Sequence, residues 1–333
     1  MNAMPEPHVF LARPVSEQVM DMARDSLAAE LRGHAESDEP PSRESLIEGS
    51  RGASALITML TENVDDGVLE AAGPQLQVIA NVAVGFDNID VEAAARRGII
   101  VTNTPGVLDE ATADLTLALI LATTRRVVEA DRFVRTGRPW IWGPQSFVGL
   151  DLSAGATLGI VGLGRIGMAT ARRAHGFGMK IVATGSRATS EEAAALGVEA
   201  VDLAGLLARS DVVSLHCPLN EDSRHLIGHE ELAAMRQGSY LINTARGPLV
   251  DEESLADALD SGHLAGAGID VHEHEPQVNE RLRQLEQVVV LPHIGSGGAA
   301  TRDAMARMAV NNVVEVLAGR PPLTPVTVRS RNG

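Results

Sequence analysis

Three segments of this 333-residue chain place side chains fit for acid–base and anion chemistry directly after short apolar runs. They are "LINTARGPLVDE" with Arg246, "GAGIDVHEHEP" with Asp270 and Glu275, and "VVVLPHIGS" with His293. In α/β proteins, ligand residues collect at the carboxyl ends of strands, which is where each apolar run would deliver them. The guanidinium of Arg246 is a planar fork suited to a carboxylate or carbonyl oxygen. His293 can exchange a proton near neutral pH, and Glu275 can orient it and stabilise its charged form. Taken singly, each has a plainer reading: an arginine after a strand is often a surface residue, and a histidine after Pro292 can simply bond backbone. His272 and His274 suggest a metal pair, but no third ligand lies within sequence reach, so they read as loop residues and no metal is expected.

A fourth segment, "GIVGLGRIG", has the spacing of a phosphate-binding turn between a strand and the helix that "RIGMATARRAHGFG" would form. Gly162 permits the tight turn, Gly164 lets backbone approach a pyrophosphate, and Gly167 lets helix and strand pack closely. The helix start adds free N–H donors. The alternative is a structural glycine turn without ligand. The next strand, "IVATGSRAT", should end in an acid that holds an adenosine ribose, but it ends in Thr184, Gly185, Ser186 and Arg187. A hydroxyl and a guanidinium grip a 2′-phosphate where an acid would repel it. This favours NADP(H); an ordinary solvated arginine beside an NAD(H) site is the other reading.

Composition narrows the classes. A formal charge of −16 argues against nucleic acid or an anionic membrane as partner. Lys180 is the only lysine beside 27 arginines, which leaves almost no candidate for Schiff-base or Walker-type chemistry. The single cysteine, Cys217, excludes a disulfide framework. The N-terminal stretch lacks the pattern of a signal peptide, and no segment has the ~18 uninterrupted apolar residues of a membrane helix. A cytoplasmic protein is expected.

The elements that must position these residues read as alternating strands and helices, the mark of a parallel α/β architecture. Strands are expected at 8–12, 53–59, 77–82 and 99–102, and a second set at 157–161, 180–183, 212–216, 240–243, 265–269 and 288–291. One long helix is expected over 109–134, soon after a Pro105-Gly106 hinge. An amphipathic helix over 300–317 follows the last strand with no further strand to serve, which suggests that it crosses back to the first domain.

The run from "VAVGFDNID" through "GLGRIG", "NTARG", "DVHEHEP" and "LPHIGS" resembles, in order and spacing over nearly the whole chain, the D-isomer-specific 2-hydroxyacid dehydrogenases. "TGSR" and "TPGVLDEATADLTLALILATTRR" look most like the glyoxylate and hydroxypyruvate reductase branch. The resemblance implies two Rossmann-like, doubly wound parallel-sheet domains with a cleft between them: residues 1–105 plus 299–333 for the substrate, and 106–298 for the dinucleotide. It implies Arg246, Glu275 and His293 as the catalytic trio. It also implies that backbone N–H groups near Val84 and Gly85 hold the substrate carboxylate. Cofactor contacts are implied at Gly162, Leu163, Gly164, Arg165, Ile166, Gly167, Ser186 and Arg187. Further ones fall at Cys217, Pro218, Thr244, Ala245, Gly295 and Asp270, the last meeting the nicotinamide carboxamide. The substrate would be a small 2-keto or 2-hydroxy acid, its side chain near "ITMLTENVD" with Leu60 in contact. A homodimer is the family habit. Trp140 and Trp142 would cover an active site or pack at an interface. The rival readings are another D-2-hydroxyacid dehydrogenase using NAD, such as 3-phosphoglycerate dehydrogenase, and a nucleotide-sensing corepressor-like scaffold.

Overall fold

Strands that read as unbroken apolar runs are buried on both faces, and two parallel sheets result. The computed structural model describes residues 8–27, 29–33 and 38–327. These form two compact units, one built from the chain up to Leu108 and from Gly298 onward, the other from Asp109–Gly297.

The first unit holds β1 (His8–Leu11), β2 (Glu30–Gly33), β3 (Ala53–Thr58), β4 (Val78–Asn81) and β5 (Ile100–Thr102), in the order β2-β1-β3-β4-β5. Every residue of β1, β3 and β4 is buried. The sequence reading omits β2 because its residues, "ELRG", lie largely exposed at the sheet edge, where no hydrophobic pattern marks a strand. Helix Ala299–Leu317 packs on β3 and β4.

The second unit holds β6 (Thr157–Val161), β7 (Lys180–Thr184), β8 (Glu199–Ala200), β9 (Val212–Leu215), β10 (Ser239–Asn243), β11 (Leu264–Ile269) and β12 (Val288–Val290). Their order is β12-β11-β10-β9-β6-β7-β8, all parallel. Leu158, Ile160, Val212, Tyr240 and Ile242 face one apolar core. Val161, Val213, Leu215, Leu241 and Ile269 face another, so successive residues serve opposite sides of a covered sheet. The exposed two-residue β8 escapes sequence detection for the same reason as β2. Lys180 opens β7 at the amino edge of the sheet and is exposed.

The long helix expected over 109–134 is two helices, Asp109–Thr124 and Val127–Arg135. In a continuous helix the Thr124 carbonyl would accept from the next turn; here it accepts the Leu150 N–H at 2.9 Å. Gly149 permits that approach, since a Cβ there would sit 1.9 Å from the same oxygen. Arg126 takes the left-handed conformation at the break, with φ 53°, and its guanidinium pairs with Glu129 at 2.6 and 2.8 Å.

Candidate active site

Chain order along the second sheet reverses at β6, which has β7 on one side and β9 on the other. Such a switch point opens a crevice beyond the strand ends. The glycine turn sits there. Gly162 has φ 95°, and a Cβ on it would lie 2.7 Å from the Cys217 nitrogen, so no side chain fits between the turns after β6 and β9. Gly167 is similarly closed: its Cβ would lie 2.5 Å from the Gly162 carbonyl oxygen. Gly164 differs, because a Cβ there would meet nothing within 4 Å. Open space faces the start of helix Arg165–Gly176, with room there for an anionic group. Thr184, at the end of β7, locks the turn by accepting the Gly162 and Leu163 N–H groups at 3.2 and 2.9 Å.

The neighbouring strands β10, β11 and β12 end in register, with Asn243 beside Ile269 and Ile269 beside Val290. Arg246, Asp270, Glu275 and His293 therefore follow three adjacent strand ends. Asn243 ties the first turn: its Oδ1 accepts the Ala245 N–H at 3.0 Å and its Nδ2 donates to the Arg246 carbonyl at 2.8 Å. The Thr244 and Thr116 hydroxyls bond at 2.8 Å behind it. Gly247 abuts the turn after β11, since a Cβ on it would fall 1.9 Å from the His272 carbonyl group.

Asp270 is fully buried and holds the His293 turn. Its carbonyl accepts the His293 N–H at 2.8 Å, and its carboxylate accepts those of Ile294 and Gly295 at 2.7 and 2.8 Å. Burial raises the Asp270 carboxyl above the ordinary aspartate value, with these N–H groups and His293 acting against it. His293 takes φ 57°, which few residues other than glycine adopt. Its Nδ1 lies 2.9 Å from Oε2 of Glu275. Burial opposes charge on Glu275, but the bond and charge of His293 and the His272 N–H outweigh it, and the carboxyl sits below its ordinary value. A carboxylate so held keeps an imidazole aligned.

In the first unit, the buried Asn81 and the half-buried Asn88 and Asn103 shape the loop after β4. Asn103 Nδ2 donates to the Val84 carbonyl at 2.8 Å and Asn81 Nδ2 to that of Gly85 at 2.9 Å. Asn88 donates to the Met59 and Glu62 carbonyls, both at 2.9 Å, and so fixes the half-buried Leu60 between them. With the carbonyls tied, the Val84 and Gly85 N–H groups find no acceptor among the described residues.

Residues 117–295 match the sequence profile of the D-isomer specific 2-hydroxyacid dehydrogenase NAD binding domain. A glyoxylate reductase of Thermococcus litoralis is 47% identical over 322 residues, which cover 95% of this chain and 96% of that protein. The chain belongs to the D-isomer-specific 2-hydroxyacid dehydrogenase family. Among solved structures, a Thermus thermophilus protein superposes with a TM-score of 0.88 at 44% identity, covering 96% of this chain and all of that one. An NADPH-dependent glyoxylate/hydroxypyruvate reductase of Sinorhizobium meliloti, crystallised with citrate, has a TM-score of 0.81 at 32% identity, with 96 and 98% covered. The present dehydrogenase is accordingly an NAD(P)-dependent oxidoreductase.

Other residues singled out from sequence lie as follows in the dehydrogenase. Ser186 is exposed beyond β7, and Arg187 pairs with Glu192 at 2.7 Å, which also pairs with Arg172 at 3.0 Å. Leu163 is buried and Ile166 half-buried, while Arg165 is exposed. Cys217 and Pro218 follow β9, and burial pushes the Cys217 thiol up to about 11. His274 is exposed but His272 is buried, and no group of three metal-ligating side chains occurs among the described residues. Trp140 and Trp142 are 63 and 78% exposed. A cavity of about 340 Å³ lined by Thr123, Arg126, Tyr240 and Gln287 lies at the amino ends of β10 to β12, away from these turns. No helix among the described residues is long and apolar enough to cross a membrane. Sequence reasoning named Thr184 without giving it a role and missed Asn243, Asn81 and Asn88; a polar residue closing an apolar strand was the available signal for Thr184, Asn243 and Asn81.

Proposed function

We propose that this dehydrogenase uses NADPH to reduce a small 2-keto acid of the glyoxylate or hydroxypyruvate kind to its 2-hydroxy acid, D-configured where the product is chiral. The observation that carries the reading is the 2.9 Å pair of His293 Nδ1 and Glu275 Oε2, at the same sheet edge as the open glycine turn. The names of the Thermococcus and Sinorhizobium relatives support the substrate class. Residues 1–105 with 299–333 serve the substrate, and 106–298 the dinucleotide. The turn at 162–167 and the helix start hold the pyrophosphate; Cys217, Pro218, Thr244, Ala245 and Gly295 border the nucleotide, and Asp270 meets its carboxamide. When bound, the nicotinamide supplies the hydride. Arg246 holds the substrate carboxylate and polarises the keto group, the Val84 and Gly85 N–H groups take carboxylate oxygens, and Leu60 borders the substrate side chain. His293, charged and aligned by Glu275, gives its Nε2 proton to the developing alkoxide. Fixed geometry and preorganised charge supply most of the rate. Two copies pair as a homodimer.

Ser186 and Arg187 carry the NADP(H) part of the reading. A second reading, NAD(H), draws on the Arg187–Glu192 ion pair, which occupies the guanidinium. The expected result is a higher kcat/KM with NADPH than with NADH over a panel of glyoxylate, hydroxypyruvate and bulkier keto acids, with Arg187→Ala erasing most of the difference. A wild type that prefers NADH overturns the NADP(H) assignment; a wild type that turns over no keto acid overturns the enzyme reading.

A further inference from the structure

Between Asp270 and Glu275 lies a side chain that the proposed reaction does not use. His272 is 5% exposed although His274 and Glu275, just after it, are exposed residues. It bonds to Glu275 directly and to the turn that carries His293. Its main-chain N–H donates to Oε1 of Glu275 at 2.9 Å, while the other oxygen of that carboxylate meets His293. Its ring Nε2 lies 2.9 Å from the carbonyl of Leu291, two residues before His293. A carbonyl only accepts, so Nε2 carries a proton. That buried Nδ1 has no hydrogen-bond partner, and Oε1 of Glu252, itself buried, faces it at 3.9 Å.

We propose that His272 is a positioning residue for proton transfer, a buried brace whose ring holds the Leu291–Pro292–His293 turn while its N–H holds Glu275. The inference rests on the Glu275–His293 reading above. The need for a brace follows from the backbone. His293 is held in the left-handed region, which persists only where the surroundings over-determine it. Asp270 restrains the turn from one side through three N–H groups; His272 restrains its approach through the Leu291 carbonyl. An apolar ring of equal size would fill the space yet leave a carbonyl without its donor. The titratable groups that face this machinery are Glu252 and Glu275 at His272, Glu273 beside Glu252, His225 at Glu273, and Asp270 beside His293. Burial raises the Glu252 carboxyl above its ordinary value, with the Glu273 N–H and His272 acting against it.

The test compares wild type, Glu275→Gln, His272→Phe and His272→Gln as full chains, with the keto acid and dinucleotide of highest kcat/KM. Phe keeps the bulk without ring nitrogens; Gln returns an amide N–H near the place of Nε2. His272→Phe is expected to lower kcat about tenfold with dinucleotide affinity within about twofold of wild type. It should also move the neutral limb of the reduction profile to lower pH, as Glu275→Gln does, because a carboxylate held off the imidazole favours its charged form less. His272→Gln should recover the limb and most of the loss. Should the Phe variant not fold, His272→Asn, polar but too short for the Leu291 carbonyl, is compared with Gln in its place. A limb that moves in Glu275→Gln but not in the His272 variants overturns the brace alone, whatever the change in Tm. An unmoved limb in Glu275→Gln overturns the reading of the pair and the brace with it.

Discussion

A guanidinium offers five donors in one rigid plane, and Arg246 already directs Nη1 to the Ala245 carbonyl at 2.7 Å, which fixes how the rest of the fork points. Lysine keeps the charge but has neither the plane nor the second donor row. Arg246→Lys is therefore expected to lose about tenfold to a hundredfold in kcat/KM for the keto acid, the range of a charge-assisted bond or two. Near-wild-type kinetics would remove Arg246 from the substrate's anchor. Glu275 offers a different handle, since its carboxyl sits below its ordinary value of 4.5 in the fold. A depressed folded-state value adds stability that is fully present above the unfolded value and is lost as pH falls through the folded one. The gap in urea midpoint between wild type and Glu275→Gln should thus narrow as pH is lowered from about 5. A gap that is constant down to the acid transition would show that the fold does not favour this carboxylate.

At the scale of elements, two glycines three residues apart carry opposite expectations. A Cβ on Gly164 meets nothing, so Gly164→Ala should fold with a Tm close to wild type and lose dinucleotide affinity, the new methyl standing where a pyrophosphate approaches. Gly167→Ala pushes a methyl to 2.5 Å from the Gly162 carbonyl and should lower Tm markedly. Thermal unfolding with a dinucleotide titration separates the two; equal affinity for Gly164→Ala and wild type would mean that the open space is not the cradle. Both glycines were legible in the sequence because their reasons are local, a strand before them and a helix after. The central strands were legible because burial on two faces writes an unbroken apolar run. The break after Thr124 was not, since its cause is the Leu150 N–H, brought back by an intervening helix and loop. Edge strands β2 and β8 left no hydrophobic trace. Glu275 and His293 were visible as residue types, but their 2.9 Å approach depends on β11 and β12 being neighbours, which strand order decides. His272 read as a loop residue because no third metal ligand lies within sequence reach; only the fold reveals that it is buried.

For the molecule as a whole, water contact is unevenly shared. Helix Val127–Arg135 buries none of its residues, and past it Trp140, Ile141 and Trp142 are 63, 93 and 78% exposed. Contiguous apolar surface of this kind in a chain of net charge −16 calls for a partner surface, and a second copy related by a twofold axis is the simplest one. Light scattering should give a mass near twice 35.1 kDa for the wild type, and Ile141→Asp combined with Trp142→Ala should bring it down toward one chain. A wild type that is monomeric throughout would end the homodimer reading. The position of Lys180 reaches into practice. It is the only lysine, exposed where β7 begins, at the sheet edge opposite the glycine turn and the strand ends that carry Arg246 and His293. Apart from the α-amino group, an amine-reactive support has one handle on each chain. Tethering there leaves the carboxyl edge of that unit's sheet turned to solution, and a film of immobilised molecules takes up one common orientation.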